Sequence, residues 1–390
     1  VLHHPDELDA AIALHDRGLR LRGVDPRVVE RAMRRRSLGG RGRRSGSGGG
    51  GGGPTNTSAP VLGEAYAGAS PAITAGTWSG SPTLTYSLKV NGVEVVAGDE
   101  ATVEAYVYVL GDEGYDAILY EIPDGTTGSQ VASDTVAVDL MTKIIEVATA
   151  ASIASLGLFP VRRSDLDLTL LSGKVADWAN WGTGSDATQA TDSARLTYSA
   201  TANNGKPGVL ADGGDYAVTG AIDPGAATAE ALMAFFSDSD TAPRCPAAIG
   251  DITTTALILF VNAGAAGDLD VYADGFVGAG SLASRARSAA GTYPMTTPGV
   301  VTGTFDAALS TNETEIRHNG SNVTSSRPNN SDNTTGIGSQ DIHIGARHAG
   351  SNLTGAISFV GRFAHSGAWS GDALTALATI ESLVATAWGP

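Results

Sequence analysis

Cysteine is almost missing from this chain of 390 residues: Cys245 stands alone, which excludes an internal disulfide and any zinc site built on cysteines. Charged residues make up only 17% and aromatics 6%. That is little charge for long salt-bridged helices, but with 51 glycines and abundant Ala, Ser and Thr it suits short strands joined by tight turns. No run reaches the roughly 18 uninterrupted apolar residues of a membrane helix; the nearest, 144–158, is broken by Glu146, Thr149 and Ser152. Membrane insertion is therefore not expected. The opening "VLHHPDELDAAIALHDRGLRLRG" has neither an apolar run nor a small-residue cleavage site, so the general secretory route is not expected either.

Charge is unevenly placed. Residues 1–44 hold 11 Arg against 6 Asp plus Glu, a net +5, and the remaining 14 basic and 35 acidic residues give −21, which together make the −16 of the whole chain. A body so acidic repels phosphates, and only the basic head suits an acidic partner. Residues 1–38 carry apolar spacing for two short helices, one opening at Asp25-Pro26. Each is too short to be stable without docking. Residues 39–58 follow as a Gly-rich tether whose core, 39–53, spans about 20 Å as a flexible coil. Arg31, Arg34, Arg35, Arg36, Arg41, Arg43 and Arg44 lie within this head and tether. Without interleaved aromatics they read as a docking surface for an acidic shell rather than for nucleic acid.

From residue 59 to 138 the period becomes two. "TLTYSLKV", "VEVVAG", "ATVEAYVYV" and "YDAILYEI" alternate apolar and polar residues, with breaks at Asn91-Gly92, Gly98-Asp99 and Gly111-Asp112. Asn-Gly between two such runs is a strong hairpin signal. The stretch "GTWSGSPTLTYSLKVNGVEV" followed by "AYVYVLGDEGYDAILYEI" resembles the immunoglobulin-like repeats of bacteriophage tail and head-decoration proteins. Leu88 stands where that family has a core Trp, so Trp78, Tyr86, Leu88, Tyr106 and Tyr115 are expected to fill the core.

Residues 139–152 read as a linker, and 153–390 have another character. "GKVADWANWGTGSDATQATDSARLTYSATANNGKPGVLADGGDYAVTG", "TGTFDAALSTNETEIRHNGSNVTS" and "IHIGARHAGSNLTGAISFVGRFAHSGAWSGDALTALATIESLVATAWG" occur in that order. They resemble the entry, the Asn-Gly hairpin (Asn319-Gly320) and the ending of concanavalin A-like, laminin-G-like jelly rolls. The resemblance implies two antiparallel sheets and a short helix closing on Trp388. The fold class expected for the whole chain is thus all-β, an immunoglobulin-like sandwich followed by a jelly roll, behind a short helical anchor.

Glycanases of the jelly-roll fold set carboxylates two apart on one strand face. Only Asp268 and Asp270 approach that pattern, without a Glu, and no catalytic residue is assigned. Cys245 has no His nearby in sequence and reads as an ordinary buried thiol. His318, His343, His348 and His365 read as surface or hairpin residues rather than as a lyase base beside Arg317 or Arg347. Sugar binding needs exposed aromatics with amides or charges. The candidates are Trp181 and Tyr216, with His318 and Asn319 of the "RHNG" loop and Arg347 and His348; Trp178 is expected in the core. Asp212 and Asp215 of "ADGGDY" offer oxygens to a calcium ion, unless they only make a turn. No other cofactor is expected.

Taken with the tether, the resemblances imply a bacteriophage or phage-like virion protein, a head fibre, head spike or tail fibre. It would be made in the bacterial cytoplasm and carried on the virion surface. Residues 1–44 would grip capsid or tail proteins, the distal domain would touch host surface glycans, and self-assembly into a homo-oligomer would multiply weak contacts. A polysaccharide depolymerase on the same jelly roll, or a bacterial surface adhesin, are the alternatives.

Overall fold

The computed structural model describes residues 54–123, 130–238, 244–251, 255–261, 271–277, 284–289, 297–329, 333–346 and 352–389. The docking arginines, Arg347, His348, Asp268 and Asp270 lie outside them. The fold is all-β, as the composition predicts, and among the described residues the two longer helices lie at the junction of the units and at the end of the second unit.

In the first unit, strand Leu84–Val90 pairs with Val93–Gly98 on one side and Asp116–Pro123 on the other. The short strands Val131–Ala132 and Val136–Ala137 pair in turn with Asp116–Pro123. The hairpin turns at Asn91-Gly92, where both residues have positive φ, 52° and 74°, as a two-residue turn between twisted strands requires. Two ribbons complete the layer. One of them, Asn56–Ser58 against Thr77–Trp78, begins inside the segment read as tether, so the last residues of that segment belong to the folded unit.

Tyr86 and Leu88 are buried as expected, but Trp78 is only half-buried and its indole N–H donates to Glu121 Oε2 at 2.6 Å. Tyr108 takes the deep place instead. The run "ATVEAYVYV" is not a strand. Asp99 accepts the Thr102 N–H at 2.8 Å and caps a helical turn, Glu100–Glu104, so a local cap overrides the alternation.

Residues 139–152 are not a linker in form. Asp139 Oδ1 accepts the N–H groups of Met141 and Thr142, starting the helix Leu140–Ala150. Leu140, Met141, Ile144 and Ala148, one face at helical spacing, are buried. We call this the junction helix. It packs with the closing helix, Gly371–Trp388, over the outside of the jelly roll's back sheet.

That back sheet explains the long apolar runs of the second unit. Strand Thr354–His365 lies between Ala229–Asp238 on one side and, end to end, Ile153–Pro160 and Lys206–Asp212 on the other; Ala229–Asp238 continues to Gly299–Asp306 and Thr314–His318. Leu232, Ala234, Phe236, Ile357 and Val360 face the core between the two sheets. Ala231, Met233, Phe235, Phe359 and Phe363 face the helices. Both faces are buried, so the sequence shows no alternation here. The front sheet runs from the hairpin Leu168–Leu171/Lys174–Trp178 through Ala187–Thr188, Ala217–Val218, Ile342–Ile344 and Arg244–Asp251 to Thr255–Val261 and beyond. Trp178 is in the core, with its N–H on the Pro160 carbonyl at 2.7 Å. The ending is as expected: Trp388 is fully buried and donates to the Val161 carbonyl at 3.0 Å.

The two units share one apolar cluster. Ala67 and Leu110 of the first belong with Leu140, Ile144, Phe363 and Trp388. Beside it, Arg162, fully buried, donates to Asp167 Oδ1 (2.8 Å), Glu113 Oε2 (3.2 Å) and Asp139 Oδ1 (3.3 Å). Glu113 also accepts the N–H groups of Ala67 (2.7 Å) and Leu140 (2.8 Å).

Replacing Arg162 by Met should therefore cost about 3–5 kcal/mol, since buried carboxylates lose their cation. Calorimetry of the wild type should show one transition for both units, and two resolved transitions would contradict the shared cluster. A second expectation concerns alkali. Burial, ahead of Glu121 and Glu100, pushes the Tyr86 phenol up to about 12, and burial with Asp112 also raises Tyr106 and Tyr108. From the ordinary 10.0 to about 12 the unfolded chain loses a Tyr86 proton that the folded chain keeps, so stability falls as pH rises through that window. Thermal melts across it should show a shallower decline for Tyr86→Phe.

Candidate functional site

The described residues form a groove of about 300 Å³ where the two units meet, lined by Val109, Leu110, Gly111, Arg162, Arg163, Ser164, Asp165, Tyr198, Lys206 and Pro207. Three separate pieces of chain supply its walls.

The first is the turn after strand Ile153–Pro160. Asp167, buried, accepts the backbone N–H of Arg162 (2.6 Å) and of Arg163 (3.4 Å), which closes "RRSD" into a tight loop. Its neighbouring arginines then point opposite ways. Arg162 goes inward to the charge cluster. Arg163 turns outward, donating to Asp165 through Nε (3.1 Å) and Nη2, and to the Glu113 carbonyl at 2.9 Å, with its guanidinium 3.9 Å over the Tyr115 ring. The groove thus receives a preformed fork of donors and acceptors, Arg163 and Asp165, with the Ser164 hydroxyl between them.

A hairpin, Thr197–Asn203 with Lys206–Asp212, forms the second wall. It turns at Asn204-Gly205, φ 49° and 74°. Its tip is pinned from behind: Asn203 Nδ2 donates to Ser358 Oγ (2.9 Å), which donates to the Pro207 carbonyl (2.7 Å). Tyr198 and Pro207 bring apolar surface, Lys206 an ammonium. The third wall is Val109–Gly111 of the first unit, where Asp112 Oδ2 accepts the Val109 N–H at 2.9 Å and the Tyr106 hydroxyl at 2.8 Å. Val109 stays exposed while Leu110 is buried.

Burial opposes the charge on Arg162, and Asp167 with Glu113 and Asp139 holds the guanidinium above its ordinary value. Burial also raises the Glu113 carboxyl, against Arg162 and the two backbone N–H groups it accepts. The floor is a closed ionic cluster rather than a site of proton exchange.

Of the sugar-binding candidates singled out from sequence, those among the described residues do not line the groove. Trp181 is half-buried, not a free platform: its N–H donates to Asp167 Oδ1 at 3.1 Å and Arg162 lies 4.2 Å over its ring. It supports the groove floor from behind. Tyr216, half-buried, precedes front-sheet strand Ala217–Val218 and is not among the residues that line the groove. His318 ends a back-sheet strand and is half-buried, which lowers its basicity. Asn319, exposed, uses its Oδ1 to accept the Val300 N–H at 3.0 Å and forms the expected Asn-Gly turn.

Arg317, which stood beside His318 as a lyase pair, is tied instead to Glu381 of the closing helix at 3.0 Å. His343 is buried beside Asp341 rather than on the surface. Cys245 is buried. Asp212 accepts the Gly214 N–H at 3.0 Å, the turn geometry, and Asp215 is buried next to it, its carboxyl raised by burial and then by Asp212. Among the described residues no group of three or more His, Cys, Asp or Glu is placed to hold a metal ion.

The groove residues were missed because no local pattern marks them; the readable signals were the Asn-Gly turn before Lys206 and the doubled arginine ahead of Ser-Asp.

No protein-family model matches the sequence, and no curated protein does. Among solved structures the chain is similar to domain 4 of AbnA, a GH43 extracellular arabinanase from Geobacillus stearothermophilus in complex with arabinotriose. That likeness has 12% identity and a TM-score of 0.38, over 58% of this chain and 98% of that one. It is similar to the CBM40 of the Ruminococcus gnavus IT-sialidase bound to α2,3-sialyllactose, with 14% identity and a TM-score of 0.31, over 44% of this chain and 95% of that one. It is also similar to Trypanosoma rangeli sialidase, with 13% identity and a TM-score of 0.38, over 70% of this chain and 44% of that one. At these scores nothing about this chain's ligand follows from them.

Proposed function

We propose that the chain is a sugar-binding appendage of a bacteriophage-type particle, with residues 1–44 as the docking head and the groove between the two units as its glycan site. One observation carries the sugar reading: Tyr198, Pro207 and Val109 offer apolar surface across from the Arg163–Asp165 fork and the Ser164 hydroxyl. A sugar ring asks for that combination, an apolar surface for its C–H faces and paired donors and acceptors for its hydroxyls. The volume, at the small end for ligand sites, suits one or two rings. Affinity for a single copy is then weak, and many copies on one particle raise it. The appendage reading rests on the basic head, the glycine tether and the family resemblances of the sequence.

Two substitutions test the groove. Tyr198→Ala removes apolar surface. Gly111→Leu narrows the opening at little structural cost, because a Cβ there meets only Val109 Cγ2 at 3.9 Å. Both should lower binding of the full chain to host-envelope polysaccharide about tenfold or more, Gly111→Leu with the melting temperature nearly unchanged and Tyr198→Ala with some loss of it, because that ring also packs against the core between the sheets. Unchanged binding in both would move the site elsewhere, and release of oligosaccharide by the wild type would favour the depolymerase. A chain lacking residues 1–44 should fold and still bind sugar but be missing from purified particles; normal incorporation would remove the docking role.

A further inference from the structure

The charged side chains around the groove are not equally engaged. Arg162 is taken up by Asp167, Glu113 and Asp139. The charge of Arg163 is balanced by Asp165, and its guanidinium also meets the Glu113 carbonyl and the Tyr115 ring, so the pair has hydrogen-bonding capacity for hydroxyls but no uncompensated charge. Glu113 and Asp167 lie fully beneath the floor. Lys206 is different: its ammonium makes no ion pair or hydrogen bond among the described residues.

Nor is Lys206 a loosely held surface lysine. It follows the Asn204-Gly205 turn directly, its backbone is paired with Asn203, and Pro207 after it is fixed by its ring and by the Ser358 hydroxyl on its carbonyl. The stem therefore leaves a rigid hairpin tip at the edge of the groove, and only its outer bonds remain to be ordered when a partner arrives.

We infer that the groove selects saccharides carrying an acid group, with the Lys206 ammonium as the counter-charge. This rests on the groove being the sugar site. A neutral sugar would leave the ammonium hydrated at the rim and gain nothing from it. A carboxylate or sulfate on the ring gains a charge-assisted hydrogen bond, stronger than a neutral one. The surroundings sharpen the point: residues 45–390 carry a net −21, so an anionic glycan is repelled by the body at large and is favoured only where an unpaired cation faces it.

The experiment uses the full chain in isothermal titration against oligogalacturonate, its fully methyl-esterified form, and a sulfated carrageenan oligosaccharide of similar length. The wild type should prefer an acidic probe over the neutral ester by about tenfold at low salt, less as salt rises. Lys206→Met should erase that preference, so that acid and ester bind alike, while Tyr198→Ala should weaken all probes together and keep the acid-over-ester ratio. The carboxylate and sulfate arms tell which acid group is taken. Equal wild-type affinity for acid and ester, or an acid preference that survives Lys206→Met, overturns the inference but, if Tyr198→Ala still weakens binding, leaves the groove as the sugar site. Absence of binding by every probe overturns the inference, and binding indifferent to Tyr198→Ala overturns it together with the groove reading.

Discussion

Arg162 is a cation without exposed surface, and carboxylates from three parts of the chain meet on it: Glu113 from the first sandwich, Asp139 from the start of the junction helix, Asp167 from the loop that carries Arg162 itself. A guanidinium could not be desolvated there unless those three were in place, and neither Glu113 nor Asp167 could be buried without it. Glu113 extends the constraint, because its two oxygens also hold the N–H groups of Ala67 and Leu140. One cluster thus fixes the first unit's loop, the helix start and the jelly roll's first turn relative to one another. The groove lies over it, since its three walls come from both units and the pair Arg162-Arg163, in one of them, faces both ways across the seam.

Much of the architecture was legible. The hairpins at Asn91-Gly92 and Asn319-Gly320 follow from a turn that needs positive φ at two successive residues. Trp178 lies in the core and Trp388 closes the end, as the resemblance to jelly rolls implies. What failed did so for physical reasons. Residues 100–109 alternate like a strand, yet Asp99 can satisfy a backbone N–H three residues on, and the helical turn wins locally. Residues 139–152 are rich in small side chains and look like connection; only the tertiary surface offered by Phe359, Phe363 and the closing helix makes a buried face of them.

The site was least legible. Val109–Gly111, Arg163–Asp165 and Tyr198–Pro207 are far apart in sequence, each ordinary alone. Trp181 shows the converse error. A tryptophan in a loop suggests a stacking surface for a ligand, but a neighbouring guanidinium competes for the same ring face, and sequence does not show which arrives first. Arginine doubled at 162-163 carried the information, and its meaning depended on which of the two would be buried.

Trp388 inserts against Val161, the residue just before Arg162. During synthesis the first sandwich emerges early and can pair its own strands, yet the seam it shares with the rest lacks its final apolar cover until residue 388 has left the ribosome. Until then the joint lacks one of its two covering helices, and the junction helix stands over the back sheet without its helical partner. Residues near the C-terminal end thereby time the assembly of a junction that begins before residue 70, and truncations there should be felt first as aggregation of newly made chains rather than as loss of the distal sheet.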